Sequence, residues 1–192
     1  MTVVDAVDLD PAGYDGTYKL IGGTPALDFA NLVSYRGTAR AHDWLDPPAN
    51  LDRWVHAARL DVSTPADRGP LIELREALAS VLLDVADDRR PRGADFATIA
   101  AAAAGARSRQ RLVWDTEASG AAWTPTRSAL ADLLADDAAG LLTDDARRRR
   151  IGACDECRWV YLDTTRNRSR RWCDPADCGN RARQRRHYHR TR

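Results

Sequence analysis

Residues 154–181 read CDECRWVYLDTTRNRSRRWCDPADCGNR, and this stretch contains all four cysteines of the chain. Cys154, Cys157, Cys173 and Cys178 follow the spacing C-x2-C-x15-C-x4-C. Two short-spaced pairs on either side of a loop can close a tetrahedral Zn²⁺ site. Four protein ligands leave no coordination position for water, so the expected cofactor is one structural Zn²⁺ per chain, with no catalytic role. Two disulfides or an iron–sulfur cluster are the rival readings of the same thiols. The N-terminus carries Asp5, Asp8 and Asp10 and no positive lead, unlike a signal peptide. A cytoplasmic location is therefore expected, where clustered cysteines are metal thiolates more often than disulfides.

Outward from the cysteines the charge is one-sided. Residues 147–192 contain 15 Arg, no Lys and five acids, which makes this segment +10. The other 146 residues carry 14 basic and 23 acidic groups. The chain's net charge of +1 thus conceals an acidic body and a strongly basic end. A small module of that charge points to a polyanionic partner, above all nucleic acid. Arginine suits phosphate because its planar fork bonds two oxygens at once. Arg166, Arg168, Arg170 and Arg171 crowd the loop between the cysteine pairs, beside Trp172, and Arg181, Arg183, Arg185 and Arg186 stud the helix expected from Asn180 onward. These eight are the candidate nucleic-acid contacts. The run Arg147 to Arg150 has a competing explanation, since basic residues at the end of a helix favour the macrodipole.

The remainder is predicted as an α+β body. Residues 1–17 read as a flexible leader, 18–146 as a mostly helical N-terminal domain with a small β-sheet, and 147–192 as a small treble-cysteine-knuckle zinc finger built from a β-hairpin and a C-terminal helix. Thr24-Pro25 is an N-cap followed by proline at the first helical position, opening a helix that carries Leu27 to Val33. Residues 34–49 read as loop, and Asn50 as the cap of a short helix. Leu71, Leu74, Leu78, Val81, Leu82 and Val85 recur at helical steps and define the clearest helix of the chain. Residues 94–104 predict an alanine-rich helix. Arg111 to Asp115 and Ala121 to Thr124 predict two strands, and Leu130 to Leu142 a last long helix. The most apolar run, Ile99 to Ala104, is far too short to span a membrane.

The stretch from Cys154 to Arg186, with its Cys178-Gly179-Asn180-Arg181 signature, resembles the CGNR zinc-finger family. In that family the finger commonly follows an N-terminal domain called ABATE, described as a stress-induced transcription regulator. Leu27-Asp28-Phe29-Ala30-Asn31 is similar to a Leu-Asp-Phe-Val-Asn-Thr motif of that domain, with Ala30 and Leu32 in place of its Val and Thr. The resemblance implies a bacterial DNA-binding regulator.

Duplex DNA is the partner expected of the finger. The N-terminal domain is expected to sense a small-molecule effector or to form a homodimer. Asp28 and Asn31 share one helical face and, with Arg36, His42 and Trp44, could line a ligand pocket; helix bracing is the competing role of the first two. Two other functions compete. An RNA-binding zinc knuckle could stack Trp159, Tyr161 and Trp172 on unpaired bases. A metabolite-binding protein or enzyme could carry the finger as a structural appendage. No nucleophile–base pair, phosphate loop or catalytic metal motif occurs in the sequence, so no enzyme is expected. Loss of a cysteine, as in Cys157→Ser, is expected to unfold the last 46 residues alone.

Overall fold

The computed structural model describes residues 5–117 and 119–190, with side chains through Tyr188. Strand β1 (Ala6–Val7) pairs antiparallel with β2 (Tyr18–Lys19). Leu9 is buried, and the Asp10 N–H donates to Asn50 Oδ1 at 2.9 Å. The expected leader is therefore attached to the body from residue 6. A two-residue bridge and one buried leucine leave no periodic trace in the sequence. Residues 1–4 of that leader lie outside the described residues.

Helix α1 (Pro25–Ala30) starts as the Thr24-Pro25 pair predicts, with Thr24 extended and its hydroxyl accepting from the Leu27 N–H. It stops at Asn31, earlier than expected. Leu32 is buried beyond it, and β3 (Val33–Ser34) pairs with β4 (His42–Asp43) inside the predicted loop. Helix α2 (Asn50–Ala57) follows. Asn50 does not cap it; its amide donates to the carbonyls of Asp10 and Trp44 at 2.8 and 2.9 Å.

Helix α3 (Gly69–Ala86) lies at the centre, burying Leu71, Leu74, Leu78, Val81 and Leu82 as its spacing requires. It packs on α1 and on α4 (Gly93–Ser108). Strands β5 (Gln110–Asp115) and β6 (Gly120–Pro125) form an antiparallel ribbon exposed on both faces, with only Gln110 and Gly120 partly covered. Helix α5 (Leu130–Thr143) returns across α4 and α1, and the short α6 (Asp145–Arg148) leads into the finger. There β7 (Ile151–Ala153) pairs with β8 (Val160–Leu162), and α7 (Cys178–Arg190) closes the described chain. Among the described residues, the small sheet expected of the N-terminal domain is three separate two-stranded ones, β1–β2, β3–β4 and β5–β6.

A hydrophobic core runs through body and finger, leaving out the β5–β6 ribbon. It joins Tyr18, Leu27, Phe29, Trp54 and Leu78 to Ile151, Trp159, Val160, Tyr161 and the four cysteines.

Candidate metal centre and its arginines

The β7–β8 ribbon turns through the first cysteine pair. The Cys154 N–H donates to the Trp159 carbonyl at 2.8 Å, and the Arg158 N–H to the Cys154 carbonyl at 3.0 Å. Arg158 takes a left-handed backbone (φ 65°) to close the turn. This aims Cys154 and Cys157 to one side. Cys173 ends the basic loop and Cys178 opens α7, and all four sulfurs lie within 4.8 Å of one another. Cys157 and Cys173 are 3.5 Å apart, as are Cys173 and Cys178. A disulfide needs about 2.05 Å, whereas four thiolates at about 2.3 Å from one Zn²⁺ stand about 3.8 Å apart. All four are buried. The donor set and the spacing thus fit one structural zinc.

The body holds this centre directly. Asn31, at the end of α1, grips β8 with both ends of its amide: Nδ2 donates to the Val160 carbonyl at 2.9 Å, and Oδ1 accepts from the Val160 N–H at 2.8 Å. The Leu162 N–H donates to the Gly22 carbonyl at 2.7 Å. Tyr18 meets the Trp159 ring edge-on at 5.3 Å. Lys19 pairs with Asp174 at 2.5 Å and Arg158 with Asp87 at 2.6 Å.

The candidate pocket residues are engaged inside the protein. Asp28 accepts from the Gly22 N–H at 2.7 Å. A side chain at position 22 would meet the Asp28 nitrogen at 2.7 Å, so only glycine allows that approach. Burial pushes the Asp28 carboxyl up to about 6, against backbone hydrogen bonds from Gly22 and Ile21 that favour its charge. Arg36 bonds Glu76 and the Ala30 carbonyl. Trp44 Nε1 donates to Ser34 at 2.8 Å, and His42 stacks on Tyr14. Asp28 and Asn31 therefore brace α1, and their polar atoms are not turned toward a common ligand cavity.

The eight candidate arginines fall into three groups. Arg171 pairs with Asp155 at 2.6 Å, Arg181 with Asp177 at 3.0 Å, and Arg185 with Glu156. Arg181 also places Nη2 3.5 Å from Cys178 Sγ, so the arginine of the signature braces the metal centre. Arg170 donates to the carbonyls of Ile21, Trp172 and Cys173 and lies over the Tyr161 ring at 4.1 Å. Arg183 bonds Asn180 and the Pro175 carbonyl, and Arg168 the Arg149 carbonyl. Arg166 and Arg186 have no ion pair or hydrogen-bond acceptor among the described residues. Arg150, which the sequence leaves with the helix-end run, donates to the carbonyls of Asp163 and Thr165 at 2.9 and 3.1 Å. Its fourth place in an arginine run gave no sign of this separate role. The grip of Asn31 on Val160 also lacked a signal, because 129 residues separate the two.

Residues 23–145 match the family model ABATE, described as "Putative stress-induced transcription regulator", and residues 150–191 match the CGNR zinc finger. No curated protein matches the chain.

Proposed function

Because the chain belongs to the ABATE family and ends in a CGNR zinc finger with a structural zinc site, we propose that it is a cytoplasmic transcription regulator whose finger binds duplex DNA. One observation carries this reading. Much of the finger's guanidinium charge is held by backbone carbonyls, as in Arg150, Arg168 and Arg170, and is not cancelled by a carboxylate. A carbonyl orients an arginine and leaves its charge available to phosphate. The test is duplex binding followed by anisotropy across a salt series. With about six phosphate contacts, log K falls with log[salt] at a slope near −5. No duplex binding at low salt defeats the proposal.

Base stacking, which an RNA reader of this kind would need, has little support. Trp159 and Tyr161 are 6% and 1% exposed, Trp159 packing on Tyr18 and Tyr161 lying between Gly152 and Arg170. Trp172, half-buried, packs on the start of α7 near Gly179. Single-stranded RNA should therefore compete poorly with duplex. Stronger binding to RNA than to duplex would reverse the assignment.

For the sensing role we assign a different cavity from the one the sequence suggested. It measures about 560 Å³ and is lined by Pro25, Leu60, Val62, Leu133 and the Arg109–Asp132 pair. That volume suits a small organic ligand. Pro25 opens α1, Asp137 in the same wall accepts from the Ala26 N–H at 2.8 Å, and Asn31 at the other end of α1 grips the finger. Leu133→Trp, which fills the cavity, should remove ligand-dependent shifts in Tm across a metabolite panel while duplex binding persists. Shifts retained in that variant would place the effector elsewhere.

A further inference from the structure

A polar cleft of about 360 Å³ opens between the basic loop and the end of α3. Arg149, Arg150, Arg168 and Arg170 line it, with Asp163 and Asp88. Tyr161 and Gly152 also face it, and a side chain at position 152 would strike the Tyr161 ring at 2.8 Å. Glycine at that position thus lets the ring lie flat against β7 and leaves the cleft open.

The charges around the cleft are unequal in a specific way. Arg150 and Arg168 each donate through Nη1 to carbonyls only, so each keeps its full charge and its remaining N–H groups. Arg149 shares Asp145 at 2.8 Å with Arg148. The Asp163 carboxylate is turned inward, accepting from the Thr165 and Arg170 N–H groups at 2.8 and 3.0 Å. Asp88 is exposed at the rim and has no cation partner among the described residues. Several like charges around one opening repel each other unless an anion enters. The fork of a guanidinium matches the oxygens of a phosphate.

We propose that this cleft binds a phosphate ester, clamped by Arg150 and Arg168 with Arg149 at the rim. The cleft exceeds a single phosphate, so it admits the attached sugar. The ester comes from the DNA backbone or from a free nucleotide; the backbone source rests on the duplex-binding reading above.

The test uses intact, zinc-loaded protein. Its probes are a fluorescein-labelled mixed-sequence duplex, AMP and inorganic phosphate, and its variants are Arg168→Gln and Asp88→Asn. Asp88 has a left-handed backbone (φ 54°), which asparagine tolerates well, so the second variant removes charge without strain. Arg168→Gln should weaken the anionic probe about tenfold or more and flatten the duplex salt slope by about 0.9. Asp88→Asn should tighten binding by roughly 1.4- to 5-fold, an effect that structural damage would not mimic. Zinc content and Tm should match wild type in both. Duplex binding that responds, with no saturable AMP or phosphate binding, identifies the backbone as source. AMP competing with duplex identifies a nucleotide. If wild type binds duplex and both variants keep its affinity and slope, the cleft proposal fails and the DNA reading stands. If wild type binds no duplex, the DNA reading fails; the cleft then stands only on AMP or phosphate binding that Arg168→Gln abolishes, and falls without it.

Discussion

Asp28 places a carboxylate beneath the first turn of α1, where burial raises its pKa to about 6 from 3.8. Between those values the folded chain holds a proton that the unfolded chain has released. Stability from this group therefore falls as pH rises from about 4 to about 6, by roughly 3 kcal/mol in all and about half of that above pH 5. Other carboxylates pull the opposite way; Asp132, for example, is held low by hydrogen bonds from Arg109. The difference between proteins is thus the readable quantity. Asp28→Asn keeps an acceptor for the Gly22 N–H and should remove this component, seen as a stability gap that widens in its favour between pH 5 and pH 7 in urea titrations. A constant gap would mean that Asp28 does not titrate there. Asn31 offers a second test. Asn31→Ala removes two buried hydrogen bonds to β8 and should cost about 2–4 kcal/mol, measured by urea unfolding; a loss under about 0.5 kcal/mol would show that the finger is held by other contacts. Both side chains were visible in the sequence as a pair on one helical face. Bracing as their role was legible as one of two options, but the partner strand was not, because nothing local in the chain encodes a contact across 129 residues.

Among the elements, α3 was the most legible, since a long stripe of leucine and valine at helical steps leaves few alternatives. Leu78, fully buried in that stripe, gives the matching prediction. Leu78→Asp places an uncompensated charge in the core and should destabilise by more than about 4 kcal/mol, enough to leave little folded protein in a thermal melt. A near-normal Tm would contradict the packing of α3. The four cysteines were equally legible, because metal geometry restricts spacing more tightly than packing restricts composition. Some of the short strands were not. β1, β3 and β4 are two residues each, and β7 is Ile-Gly-Ala directly before the first knuckle. Such lengths carry no alternation to read. The ribbon β5–β6 is the opposite case: its strands were predicted, yet they stand clear of the core, with Trp114 66% and Leu112 60% exposed. Trp114→Ser should change stability by no more than about 0.5 kcal/mol; a larger loss in urea unfolding would mean that this ring is covered in solution.

At the scale of the whole molecule, composition separated an acidic body from a basic finger, and the family matches fall on the same division. Charge and homology divide the chain there, but the core does not. Trp159 packs on Tyr18, Val160 is bonded to Asn31 at both polar atoms, and Leu162 is bonded to Gly22. The finger therefore covers part of the surface that α1 and β2 would otherwise expose, and a finger that unfolded alone would leave a wet apolar face on the body. This alters the consequence expected of losing the metal. Zinc binding is folding energy for the finger, and through the shared core it becomes folding energy for α1 and β2 as well. Cys157→Ser, or chelation of zinc, should lower the Tm reported by helical circular dichroism together with that reported by tryptophan fluorescence. The wild-type protein should melt in one transition by both probes. Two separate transitions, with the helical signal of α3 to α5 unmoved by zinc removal, would show that body and finger fold independently and that the seam through Asn31 and Val160 contributes little.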